Sequence, residues 1–151
     1  MKPFKNIVFP VDFSDCSEKV FPFALEMAQK FDAKLHLLYV VKDISYLTTI
    51  EVPRDLLMKT VDEIARAGEN KMQVFCDKHL KGFSNLDTKV VVGDPAEEIV
   101  KFTDEKGIDL IVMGTHGRKG LDRTLMGSVA DQVIKNASVP VLTVNSHRMK
   151  L

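Results

Sequence analysis

At 151 residues and 17.0 kDa, with 45% hydrophobic residues, the chain has the length of one domain and enough apolar material for a full core. Lys plus Arg and Asp plus Glu both number 21, so the formal charge of zero excludes a global attraction to nucleic acid or to an anionic membrane surface. No apolar run approaches the ~20 residues of a membrane span, the N-terminal run is broken by Pro10 and Asp12 too early for a signal peptide, and the two cysteines, Cys16 and Cys76, lack CxxC or zinc spacing; a cytoplasmic, reducing location with no metal site is expected.

The run Phe4 to Val11 is mostly apolar and rich in β-branched residues, which describes a strand covered on both faces, ending at Asp12. Ser14 or Asp15 can cap the helix that follows, Glu18 completes a capping box with Asp15, and Val20, Phe21, Ala24, Leu25, Ala28 and Phe31 recur at helical spacing. Pro22 lies beyond the first turn, so a kink or local loosening is expected there. Lys34 to Val41 is a second strand, with His36 read as a sheet residue satisfied by a neighbour. Lys42 to Arg54 has no sustained periodicity and reads as a loop able to act as a lid.

Asp55 to about Leu80 fits a long amphipathic helix with a Met and Phe core stripe, weakened near its middle by Gly68. Leu86 to Val92 is a third strand. Gly93-Asp94-Pro95-Ala96-Glu97 then spells a helix start, with Asp94 read as the cap rather than as a base, and Gly107 ends that helix. Ile108 to Met113 is a fourth strand, a helix runs from Leu125 to Asn136, and Val139 to Val144 is a fifth strand that Pro140 assigns to a sheet edge. Strands that are apolar throughout and alternate with helices imply an α/β single-domain sandwich: a parallel sheet with helices on both faces.

In such a sheet ligands bind beyond the carboxyl ends of the strands. Asp12, Val40, Val41, Gly93 and Gly114 all fall there. Gly114 to Ser128, GTHGRKGLDRTLMGS, is a strand, a glycine-punctuated loop and a helix N-terminus, which is a phosphate cradle. It is neither a Walker A loop nor the dinucleotide G-x-G-x-x-G. Gly114 and Gly117 serve either by positive φ or by letting backbone or ligand come close. Asp12 beside that loop suits a ribose hydroxyl or a base amino group, because an ionised Asp is a pure acceptor. Arg118, Lys119 and Arg123 suit phosphate charge, or form a solvated loop. His116 reads as an exposed loop residue rather than a catalytic base. No nucleophile elbow, shared carboxylate pair or H-E-x-x-H assembles a reaction centre.

Gly114-x2-Gly117-x9-Gly127-Ser128 resembles the G-x2-G-x9-G-S/T signature of the nucleotide-binding branch of the universal stress proteins. The resemblance extends over the opening strand ending in Val-Asp, GDPAEEIV, IDLIVMGTHGRKG and the closing VPVLTV. It implies a Rossmann-like fold with five parallel strands in the order 3-2-1-4-5, and a homodimer paired through the last strand, Val139 to Val144. It implies ATP or AMP as ligand, with or without Mg2+. The ribose and phosphates fall to Gly114, Thr115, His116, Gly117, Arg118, Gly127, Ser128 and Val129. Asp12 fixes the nucleoside, the main chain at Val40 or Val41 meets the base, and Pro10 and Val11 line the pocket. Members of the other branch lack these glycines and do not bind ATP appreciably. The function expected is a stress-response or regulatory protein with an unidentified protein partner. A slow ATPase or a nucleotidyl- or phosphoryl-transfer enzyme is the alternative, and a ligand-free dimeric module would leave the glycines unexplained.

Overall fold

The computed structural model describes residues 2–43, 52–117 and 126–149. Nine elements follow in chain order: β1 (Asn6–Pro10), α1 (Asp15–Phe31), β2 (Lys34–Lys42), α2 (Arg54–His79), β3 (Leu86–Gly93), α3 (Pro95–Lys106), β4 (Leu110–Gly114), α4 (Ser128–Asn136) and β5 (Val141–Val144). All strand pairings are parallel, and the order across the sheet is β3-β2-β1-β4-β5, as expected. Pro140 immediately precedes the edge strand β5, and its carbonyl still accepts from the Ile111 N–H at 3.0 Å.

Strand alternation explains why the sequence of each inner strand is apolar on both sides. Ile7, Phe9 and Val11 pack with Val20, Phe21, Ala24, Met72 and Phe75 beneath α1 and α2. Val8, Leu38, Ile111 and Met113 turn the other way, against Ala96, Ile99 and Phe102 of α3 and Ala130 and Val133 of α4. The chain therefore changes faces between β1 and β4. That is the point where strand order reverses and a crevice opens at the carboxyl ends.

Packing decides three local details. Of the two candidate caps Ser14 caps α1, its hydroxyl accepting from the Ser17 N–H at 3.2 Å, and the expected Asp15–Glu18 capping box is not made because Glu18 is drawn to Lys78 Nζ at 3.0 Å. The Lys78 hydrogen bond holds the Glu18 carboxyl below its usual range. α1 runs on through Pro22 to Phe31, with Pro22 facing solvent while Val20, Phe21, Ala24 and Ala28 anchor the inner face. α2 runs unbroken through Gly68. A Cβ there would stand 2.9 Å from Tyr39 Cε1 and 3.2 Å from Val90 Cγ1, so the missing side chain is what lets the helix lie against the sheet.

α4 begins at Ser128, later than the expected Leu125, with Met126 and Gly127 non-helical. The lid expected within 42–54 and the cations Arg118, Lys119 and Arg123 fall wholly or mostly outside the described residues.

Candidate functional site

The site is built from the ends of four strands and the starts of three helices. β1 delivers Pro10, Val11 and Asp12 to the rim. Asp12 is held from several sides: its Oδ1 accepts from the Ser14 N–H at 3.0 Å and from the Ser14 hydroxyl at 2.6 Å, and its own N–H donates to Ser17 Oγ at 3.2 Å. The next residue, Phe13, sits at φ 60°, a strained value for a bulky side chain. Ring contacts with Tyr39 (4.7 Å) and Phe75 (6.0 Å) keep it there, so the core fixes the turn that aims Asp12.

β4 delivers Gly114, and the loop leaving it is pinned at both ends. The Thr115 N–H donates to the Val144 carbonyl at 3.0 Å, and the Gly127 N–H donates to the Thr115 carbonyl at 2.7 Å. None of the three signature glycines has positive φ; Gly82 and Gly107 do. Close approach is therefore their reason. A Cβ on Gly117 would stand 2.8 Å from Asp12 Oδ2, one on Gly127 3.1 Å from the Thr115 carbonyl oxygen, and one on Gly114 3.2 Å from that of His116.

The helix starts differ in a way that polarises the rim. Ser14 fills the N-terminus of α1, and Asp94 caps α3 by accepting from the Glu97 N–H at 3.1 Å. α4 has Gly127 at its cap and no side-chain oxygen there. Its first-turn amides and positive dipole end are left for an external anion, while the α3 end carries its own carboxylate.

His116, expected as an exposed loop residue, is instead buried beside this start, where Thr115 and His147 close over its ring. Its Nδ1 lies 2.8 Å from Thr115 Oγ1, its ring meets His147 edge-on at 4.7 Å, and its Nε2 has no hydrogen-bond partner among the described residues. A buried imidazole nitrogen without a partner is costly unless a ligand or water completes it.

Together these elements enclose a cavity of about 530 Å³. Pro10, Val11, Asp12, Val40, Gly114, Thr115, His116, Gly117, Gly127, Ser128 and Val129 all line it. Val41 is not in the wall; strand alternation turns it away, and it is 5% exposed on the other face of β2. Arg118 lies outside the described residues. The wall also takes in Ser17, Tyr39, Lys42, Asp94, Ile99 and Gln132, which were not read as site residues. Lys42 and Asp94 follow from the rule that placed Val40 and Gly93 at strand ends, and Gln132 from lying one turn after Ser128 on the same side of α4. The cavity thus has an apolar end at Pro10, Val11, Val40 and Ile99, a carboxylate at Asp12, and an anion-seeking end at Gly127 to Val129. Those are the needs of a flat base, a ribose and a phosphate.

The profile of the universal stress protein family matches residues 3–145. The chain belongs to the universal stress protein family. Universal stress protein MJ0531 of Methanocaldococcus jannaschii is 39% identical over 142 residues, covering 93% of this chain and 82% of that one. The solved structure of MJ0577, from the same organism, superimposes with a TM-score of 0.80 at 29% identity, covering 99% of this chain and all of that one. A family member from Archaeoglobus fulgidus, solved in complex with dAMP, shares the fold with a TM-score of 0.57 at 24% identity, covering 95% of this chain and 100% of that one.

Proposed function

We propose that this universal stress protein is a single ligand-binding domain of the cytoplasm that holds ATP or AMP in the switch-point cavity and serves as a regulatory protein. The observation that carries the reading is the uncapped N-terminus of α4, reached through glycines that leave no room for a Cβ. The same fold accommodates an adenine nucleotide in the Archaeoglobus fulgidus protein. In this reading the amides of Ser128 and Val129 bind phosphate oxygens, and Gly114, Thr115, Gly117 and Gly127 let the phosphates approach the backbone. His116 Nε2 completes its hydrogen bonding on the ligand, and Arg118 adds charge. Asp12 accepts a ribose hydroxyl, while Pro10, Val11 and Val40 flank the base. Any Mg2+ arrives with the phosphates.

The protein acts as a homodimer in this reading. Among the described residues β5 has β4 on one side only, and Leu142 on β5 and Ile134 on α4 are 38% and 42% exposed. Pairing a second copy along that edge would satisfy its backbone groups and cover both side chains.

The test is to denature the purified protein, identify any released nucleotide, and titrate ATP and AMP calorimetrically into the emptied, refolded chain and into Gly127→Val. Micromolar or tighter binding that the variant loses supports the reading. Absence of binding, or equal binding by Gly127→Val, sinks it.

A further inference from the structure

Asp12 lines the cavity, but the residues that hold its turn do not. Neither Phe13 nor Phe75 belongs to the cavity wall. Phe13 takes φ 60°, a left-handed conformation that a bulky side chain disfavours. Ring packing supplies the compensation, edge-on to Tyr39 at 4.7 Å and to Phe75 at 6.0 Å. Tyr39 is itself fixed from behind, because α2 closes on its ring where Gly68 has no side chain. Contacts therefore run from α2 through Phe75 and Tyr39 to Phe13, whose backbone carries the Asp12 carboxylate.

The carboxylate is also fixed from its own side. Its Oδ1 accepts from the Ser14 N–H and hydroxyl, which sets the plane of the group. Its Oδ2 is turned to the phosphate loop, 2.8 Å from where a Cβ on Gly117 would stand. A mobile carboxylate would swing to water when a ligand lacks the hydroxyl it accepts from, and little affinity would be lost. One clamped before the ligand arrives cannot follow, so the missing hydrogen bond is felt in full.

We infer that Phe13 is the positioning residue that sets sugar specificity here, and that through it the protein selects ribonucleotides over deoxyribonucleotides. The inference rests on the nucleotide reading of the cavity and adds which sugar the cavity takes.

Calorimetric titration of ATP, 2′-deoxy-ATP and 3′-deoxy-ATP into the nucleotide-free protein tests it. The wild type should hold at least one deoxy analogue about tenfold more weakly than ATP. Phe13→Ala keeps Asp12 and the whole cavity wall, yet should bring that ratio to within about twofold, whereas Phe13→Tyr, which keeps the ring, should retain it. Phe75→Leu loosens the clamp without altering the turn, so it should lower the ratio by about half or more, and it carries the test if Phe13→Ala does not fold. Phe102→Leu, the same exchange in the core on the opposite face of the sheet, should leave the ratio unchanged. If ATP binds but the wild type holds all three nucleotides alike, or the Phe13→Ala and Phe75→Leu variants discriminate as the wild type does, the positioning inference fails alone. It fails equally if Phe102→Leu lowers the ratio as much as Phe75→Leu. If no nucleotide binds, the nucleotide reading fails and takes the inference with it.

Discussion

Replacing Gly117 with Ala tests whether close approach, rather than backbone freedom, is what the signature glycines provide. The new Cβ would stand 2.8 Å from Asp12 Oδ2, and ordinary contact begins near 3.4 Å, so the carboxylate must retreat by 0.6 Å. It cannot do so without disturbing the Ser14 bonds at 2.6 and 3.0 Å that aim it. Losing one hydrogen bond to a charged group costs about 1.5–3 kcal/mol, which is roughly 10- to 150-fold in affinity. Because φ at Gly117 is not positive, the new side chain adds no backbone strain, but the disturbed Asp12–Ser14 bonds also belong to the ligand-free fold, so Tm without ligand should fall by up to about 3–12 °C. Gly107→Ala is the counterpart: φ is +60° there and nothing lies within 4 Å of the new Cβ. It should cost about 1 kcal/mol of stability, or about 2–4 °C in Tm, and leave affinity unchanged. Titration of ATP by calorimetry, paired with thermal melts, reads both effects. If Gly117→Ala binds like the wild type, or Gly107→Ala loses as much affinity as Gly117→Ala, the close-approach argument is wrong.

Three further outcomes are expected. Gly68→Ala should lower Tm by about 3–8 °C through overpacking on Tyr39 and Val90, although helix propensity alone would stabilise it by about 1 kcal/mol; a rise in Tm would contradict the packing explanation. His36 is 4% exposed, and burial, opposed by Asp87, lowers its pKa from the ordinary 6.5. The folded state therefore takes the proton less readily than the unfolded chain, so stability is full above pH 6.5 and declines as pH falls below it. Urea midpoints between pH 5 and 7.5 should show that slope and His36→Gln should flatten it; an unchanged slope assigns the effect elsewhere. Leu142→Lys, placing a charge on the β5 edge, should convert a dimer to monomer in sedimentation experiments, and a wild type that already sediments as a monomer would remove the pairing proposal.

The sequence made the strands legible because both sheet faces are covered, so β1, β2 and β4 appear as unbroken apolar runs. Helix caps at Asp94 and Gly107 were equally readable, since each is a local rule satisfied by its own neighbours. What escaped was set by contacts distant in sequence. Gly68 looks like a flaw until Tyr39 and Val90 are seen against it, and Pro22 looks disruptive until it is seen facing solvent. Strand order came from resemblance to a family, not from periodicity. At the candidate site the rim residues were found because strand ends define it, but choosing between Val40 and Val41 needs the facing direction of β2. Tyr39, Lys42 and Gln132 belong to walls contributed by separate elements, which no single motif spans.

The central claim is best tested by following backbone amide NMR shifts as ATP is added to the nucleotide-free protein. Binding at the uncapped start of α4 should move the amides of Gly117, Gly127, Ser128 and Val129 most, with Val40 and Asp12 next, and leave the middle of α2 unmoved. Absence of saturable shifts, or shifts that spare Gly127 to Val129, would contradict it.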